Sequence, residues 1–215
     1  MNNQFPFFNT IIDKFKTLSP NQRLLVGIVG IPGSGKSFLA EKLASLVNDK
    51  IEDNIATFFN MDGYHHYDSY LFEKGIHCYK GAHFTFNSEQ FIEKLIEIKE
   101  VQDRIICPIY DRNIHNPIEN GNIIESNHKI VFVEGNYLLT SIFPWYCIRY
   151  ILDFSIYIEI NDKIQFDRLK SRHLKGGRKE EEAINKINHT DLPNSKLIEK
   201  SKKNADIIFK PDYNF

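Results

Sequence analysis

The string GIPGSGKS at residues 30–37 constrains this chain more than any other. It fits the pattern G-x-x-x-x-G-K-[ST] at every required position. Before it runs RLLVGIVG (23–30), a nearly continuous apolar stretch of the kind that forms a strand buried on both faces. After it the period changes, and Leu39, Leu43 and Leu46 fall on one stripe of an amphipathic helix. A glycine-rich turn between a buried strand and a helix lets successive N–H groups wrap a phosphate, and the helix N-terminus adds its positive dipole end. Gly30, Pro32, Gly33, Ser34, Gly35, Lys36, Ser37 and the adjoining Phe38 are therefore the expected nucleotide contacts. Lys36 is placed to reach the β- and γ-phosphates, and the Ser37 hydroxyl to ligate magnesium.

The remaining pattern extends this unit into one fold. Residues 7–18 read as a short amphipathic helix, and NIATFFNM (54–61) as a second strand. NSEQFIEKLIEIKE reads as a helix with Asn87 as N-cap, Gln90 three residues on, and Phe91, Leu95 and Ile98 as its stripe. RIICPIY and NIIES are strand-like pieces around a turn-rich segment. KIVFVEGNYLL holds a third buried strand, FSIYIEI (154–160) alternates as a fourth, and ADIIFK closes as a fifth. NDKIQFDRLKSRHLKGG is a helix capped by Asn161 and stopped at Gly176-Gly177, and residues 180–204 are helical with a break at DLPN. Strands alternating with helices imply an α/β fold: a P-loop NTPase architecture with a mostly parallel five-stranded sheet flanked by helices. One domain is expected over residues 1–215, with a cap insertion at about 62–86 and 107–128 and a lid at about 168–182.

Charge and cysteine usage narrow the function classes. The formal net charge of −1 supplies no global field for nucleic acid or an anionic membrane. No apolar run is long enough to span a bilayer, and the N-terminus lacks the basic-then-apolar order of a secretory signal. Cys78, Cys107 and Cys147 are odd in number and far apart, which points to free thiols and a cytoplasmic setting. A GTPase needs an N-K-x-D segment, and the nearest string, NKIN at 185–188, lacks the aspartate. ATP-driven machines usually end the third strand in aspartate, whereas IVFVEG ends in Glu134.

NMDGYHHYDSY (60–70) is the densest polar stretch. From its residues alone, Asp62, His65, His66 and Asp68 fit a metal site, an acid–base centre or a polar loop. Adjacent residues rarely converge on one ion and no distant Cys/His pair completes a zinc set, so zinc is the weakest of these. Asp62 follows a strand, which places it at the carboxyl edge of the sheet, where open α/β folds bind ligands. Asp-Gly is also a common turn dipeptide.

The strings GIPGSGKS, MDGYH, KGAHFTF, PIYDR, VEGNYLL, RLKSRHLKGG and the late AD occur in an order that resembles the phosphoribulokinase/uridine kinase family, from about residue 23 to 208. They are most similar to a subgroup of small-molecule kinases described as fructose-transport-system or uridine kinase-like. The resemblance implies ATP-dependent phosphorylation of a hydroxyl on a small metabolite: a sugar, a nucleoside or a pantothenate-like compound. It implies that Asp62 is the catalytic base, that His65 binds the acceptor or polarises a phosphate oxygen, and that Tyr110 and Arg112 of PIYDR contact the acceptor. An internal ion pair of Arg112 with Asp111 or a neighbour is an equal alternative. Glu134 either holds magnesium or orients the acceptor. Tyr64, Tyr67 and Tyr70 line the acceptor pocket or pack the cap, with packing expected for the last two. His66 and Asp68 are expected to be solvated bystanders, and Trp145 to pack. Two departures stand out: GKSF where relatives commonly carry threonine after the serine, and His83-Phe84 where the subgroup usually has proline and an acidic residue.

Arg168, Arg172 and Lys175 share one helical face. A basic face leading into Gly176-Gly177 and Arg178 fits a lid that neutralises charge on the transferred phosphoryl group, with Arg172 the direct contact. A solvated basic helix is the plainer alternative. The expected function is therefore a Mg-ATP-dependent small-molecule kinase. A nucleotide-dependent binding or regulatory protein is the alternative, and a nucleic-acid-repair kinase is disfavoured by charge. A homodimer is common among related kinases, though no residue here demands one.

Overall fold

In a computed structural model, which describes residues 4–100 and 103–212, five parallel strands form one sheet. They are β1 (Leu24–Gly30), β2 (Ala56–Asn60), β5 (Ile130–Gly135), β6 (Phe154–Ile158) and β7 (Ile207–Phe209), in the order β2-β5-β1-β6-β7. The two missing numbers, β3 (Ile105–Asp111) and β4 (Asn116–Ile124), pair antiparallel as a separate hairpin. Every residue of β1, β5 and β6 is buried, because the sheet is covered on both faces.

The pleat sorts those side chains into two cores. Leu24, Val26 and Ile28 pack with α1 (Phe8–Lys16) and α2 (Lys36–Ile51). Leu25, Val29, Val131 and Val133 pack with Phe91, Leu95 and Ile98 of α4 (Ser88–Glu100) and with Trp145. Asn87 caps α4 as its position predicts, accepting from the Gln90 amide at 3.1 Å, and Asn161 caps α5 (Asp162–Lys175) in the same way at 2.9 Å. Arg23 starts the first strand run, yet it is fully buried. Its guanidinium donates to the carbonyls of His128, Ile98, Asp103 and Glu125, tying the end of α4 to the entry of β5.

Four expectations are corrected. In α2 the buried position is Val47, and Leu46 is only partly covered. β6 is buried on both faces; its Ser155 is satisfied inside by Asp206, which accepts from the Ser155 hydroxyl at 2.7 Å and its amide at 2.8 Å. The DLPN segment does not break the helix. α6 (Glu180–Lys186) runs through a π-turn (Ile187–Asp191) directly into α7 (Leu192–Glu199), with Pro193 in the first turn of α7, where a missing N–H costs little. Tyr67 and Tyr70 do not pack inside; both are exposed, at the start of α3 (Asp68–Glu73).

Because all five strands run the same way, Gly30, Asn60 and Gly135 finish at one edge. Register sets Glu134 between Ile28 of β1 and Asn60 of β2. That edge is where the chemistry gathers.

Candidate functional site

The loop after β1 turns through Gly33 and Gly35, with φ of 84° and 95°, angles that side-chain-bearing residues rarely adopt. Gly35 caps α2, so the first amides of that helix point out of the turn. The Lys36 ammonium folds back and donates to the carbonyls of Gly30 (3.0 Å) and Ile31 (3.1 Å). Ser34 lies fully buried beneath the loop, where a Cβ on Gly30 would meet its hydroxyl at 2.6 Å. Gly30 and Ser34 thus shape the loop from below. Pro32, Gly33, Gly35, Lys36, Ser37 and the exposed Phe38 line a cavity of about 990 Å³.

Across the sheet edge, the Ser37 hydroxyl donates to Glu134 Oε1 at 2.7 Å. Asn60 Nδ2 donates to the same oxygen, and Asn60 Oδ1 accepts the Asp62 amide at 2.6 Å. One side chain therefore fixes both the strand-end carboxylate and the turn carrying Asp62. Sequence reasoning passed over Asn60; its only signal is a polar residue ending an apolar strand two positions before Asp62. Asp62 sits in a 3-10 turn (Met61–Tyr64) and lines the cavity. That turn presses on the hairpin: a Cβ on Gly63 would lie 2.5 Å from the Pro108 carbonyl oxygen.

Electrostatics follow from this crowding. Burial pushes Glu134 up to about 7, Asp62 adds to the rise, and Lys36, the Ser37 hydrogen bond and Arg112 oppose it. Burial pulls Lys36 down to about 8, against Glu134 and Asp62. Two carboxylates thus share one buried ammonium. Ser37 and Glu134 are adjacent hard oxygen donors beside a phosphate loop, and a magnesium ion carried with a nucleotide suits that donor set. Among the described residues no three His, Cys, Asp or Glu side chains converge as a metal cluster.

The acceptor-side candidates separate. His65 Nδ1 donates to the Asp62 carbonyl at 2.9 Å, and its ring packs between Phe86 (3.8 Å) and Tyr110 (4.8 Å). Burial lowers its pKa, so the imidazole is neutral with Nε2 left as an acceptor. Tyr110 lines the cavity and donates its hydroxyl to the His115 carbonyl at 2.9 Å. Asp111 does not pair with Arg112. Its carboxylate accepts the Asn113 amide at 2.7 Å and holds the hairpin turn, while Arg112 reaches the cavity with no ion pair among the described residues. Tyr64 corrects the expectation of a pocket residue: it is in the core, against Phe59 and Phe91. Asp68, expected as a bystander, is in the cavity wall, paired with Lys80 and with His77 at 3.5 Å. His66 packs on Tyr70 instead.

From the opposite side, α5 supplies Arg168 and Arg172. Arg168 donates to the carbonyls of Gly33 (3.3 Å) and Ser34 (3.4 Å), bracing the loop, while exposed Arg172 projects into the cavity. Lys175 lines a neighbouring cavity between α5 and the hairpin turn. Gln165, buried on the same helix, donates to the Pro32 carbonyl and to Ser195, which in turn donates to the Asp191 carbonyl. Arg178, expected in the lid, lines the main cavity; Lys80, Lys186, His115 and Asn136 line it too and were missed as site residues, although Asn136 follows VEG directly.

Residues 25–212 match the profile of the Phosphoribulokinase / Uridine kinase family. A Schizosaccharomyces pombe protein with a provisional uridine kinase name is 31% identical over 198 residues, 89% of this chain and 84% of its own length. The uncharacterized protein YggC of Escherichia coli is 32% identical over 193 residues, 90% of this chain and 80% of its own. A crystal structure from Silicibacter sp. TM1040, provisionally described as a fructose transport system kinase, superposes with a TM-score of 0.85 at 30% identity. It covers 94% of this chain and 98% of its own.

Proposed function

This chain belongs to the phosphoribulokinase/uridine kinase family, and we propose that it transfers the γ-phosphoryl group of ATP to a hydroxyl of a small metabolite. The observation that carries this reading is the cluster at the sheet edge: the phosphate loop, Ser37 bonded to Glu134, and Asp62 held beside them by Asn60. That is a donor site with a carboxylate in place for an incoming hydroxyl.

The acceptor oxygen bonds to the γ-phosphorus, and the bond from that phosphorus to the β–γ bridging oxygen breaks, leaving its electrons on ADP. The acceptor proton passes to the Asp62 carboxylate. Such transfers depend on positioning and on neutralising charge, so a carboxylate that orients the hydroxyl is sufficient. Lys36 and the loop amides hold the β- and γ-phosphates, Arg172 faces the moving group, and Arg168 keeps the loop in shape. Ser37 and Glu134 would hold a magnesium ion, which would offset the negative charge of the phosphates. Neutral His65, fixed by the Asp62 carbonyl, offers Nε2 to an acceptor hydroxyl. Residues 62–86 and the hairpin act as a cap over the acceptor, and residues 168–182 as a lid.

The test is ADP release over a panel of sugars, nucleosides and vitamin precursors. Asp62→Asn is expected to lower kcat by about 100-fold or more while leaving the KM for ATP within about twofold. Normal turnover of the best acceptor by that variant would remove Asp62 from the role. Tight ATP binding with no acceptor-stimulated ADP release would instead favour a nucleotide-dependent regulatory protein.

A further inference from the structure

The wall of the cavity formed by residues 77–81, the hairpin turn and the end of α5 carries cations without matching anions. Lys186 donates to the Lys80 carbonyl at 2.9 Å and, among the described residues, forms no ion pair with a carboxylate. Arg112, in the same cavity, likewise forms no ion pair among the described residues. Of the carboxylates in the cavity, Asp68 is engaged by Lys80 and His77 and buried Asp191 by buried His173 at 2.7 Å, while Asp62 and Glu134 sit at the sheet edge beside Lys36, where Arg112 also acts on Glu134. Burial lowers the Lys186 pKa, Asp191 opposes this, and Arg178 and Lys80 lower it further. A charge excess of this kind inside a half-enclosed site is relieved by an anion and left uncompensated by a neutral ligand.

Arg178 is also aimed. Its Nη1 donates to His173 Nδ1 at 3.2 Å. A guanidinium cannot accept, so His173 carries its proton on Nε2 and donates it to Asp191. The π-turn delivers Asp191 to this position, and Ser195 and Gln165 tie the same turn to the phosphate loop. One edge of the Arg178 fork is thereby fixed, and its other donors remain for a planar or tetrahedral anion.

We propose that the acceptor carries an anionic group, a carboxylate or a phosphate remote from the reacting hydroxyl, which docks between Arg178 and Lys186, with Asp191 and His173 as positioning residues for Arg178. This rests on the kinase reading of the same cavity. The other anion that could use these cations is the γ-phosphate of ATP, and the experiment separates the two.

Three matched pairs serve as probes in the ADP-release assay: ribose and ribose 5-phosphate, fructose and fructose 6-phosphate, pantothenol and pantothenate. The charged member of at least one pair is expected to exceed its neutral partner in kcat/KM by about tenfold or more. Arg178→Gln and Lys186→Met are expected to raise the KM for that charged member by about tenfold, with the KM for ATP within about twofold. Asp191→Asn is expected to raise the same KM and to lower the charged-to-neutral preference, which a purely structural role would not change. Lys186→Arg, which keeps the charge, is expected to restore most of the loss. Use of neutral members alone, or a rise in the KM for ATP in place of the acceptor KM, overturns the proposal and leaves the kinase reading standing. If no member of any pair is used, a second arm decides. With adenylyl imidodiphosphate saturating the loop, inorganic phosphate is expected to raise the melting temperature of the wild type and not of Lys186→Met, and equal responses overturn the anion site.

Discussion

Glu134 shows how far a single residue's behaviour follows from its surroundings. An unfolded glutamate releases its proton near 4.5, whereas Glu134 in the fold holds its proton to about 7 because of burial and the nearby Asp62. Between those values the folded state binds more protons than the unfolded one, so stability falls as pH rises through that window. Melting the metal-free protein from pH 4.5 to 7 is expected to show that decline, and Glu134→Gln to flatten it. An unchanged slope in the variant would place the buried proton elsewhere. Asn60 is the second test at this scale. Its loss frees both Glu134 and the Asp62 turn, so Asn60→Ala is expected to lower kcat by about 10- to 100-fold while ATP still binds. Lys36, Ser37, Asp62 and Glu134 were legible because each is a chemically special residue next to a strand end. Asn60 was not, because its partner Glu134 lies 74 residues away in sequence. Tyr64 misled because an aromatic next to the Asp62 turn looks the same in sequence whether it faces the cavity or the core.

The elements beneath the site are held by close backbone contact. The 3-10 turn carrying Asp62 touches β3 where only glycine fits. Gly63→Ala must push the hairpin or the turn aside, an overpacking expected to cost about 1–3 kcal/mol in urea unfolding. Since Tyr110 and Arg112 ride on that hairpin, acceptor KM is expected to rise in the same variant. Unchanged stability and KM would mean that the hairpin does not position them. The strand-like character of 104–110 and 122–126 was readable from β-branched residues, but their pairing with each other, apart from the main sheet, was not, since periodicity carries no information on partners. The π-turn was missed for a related reason. DLPN has the composition of a break, and only the packed end of α5, with His173 facing Asp191, shows why the chain stays helical through it.

At the scale of the molecule, the five-stranded parallel sheet was legible because the buried runs recur between amphipathic helices, whereas the strand order was not; the shared direction brings the strand ends to one edge. What pattern could not supply was the charge distribution around that edge, because the cations come from segments far apart in the chain while the net charge is only −1. The edge holds Glu134 and Asp62 beside the buried Lys36 ammonium, with Arg112 and Arg172 close by, so the folded state should be sensitive to whatever enters it. A ligand that binds only the folded protein at 100 times its Kd adds about 2.7 kcal/mol. For a chain of this size that corresponds to a rise in Tm of about 5–10 °C. Mg-ATP is expected to give that rise. Chelating the magnesium should remove most of it, because the triphosphate would then face Glu134 and Asp62 without a divalent ion between them. Lys36→Ala should abolish it with the unliganded Tm little changed. If ATP with a chelator stabilised the protein as well as Mg-ATP, Ser37 and Glu134 would not be metal ligands, and the hydrogen bond between them would be a brace of the loop alone.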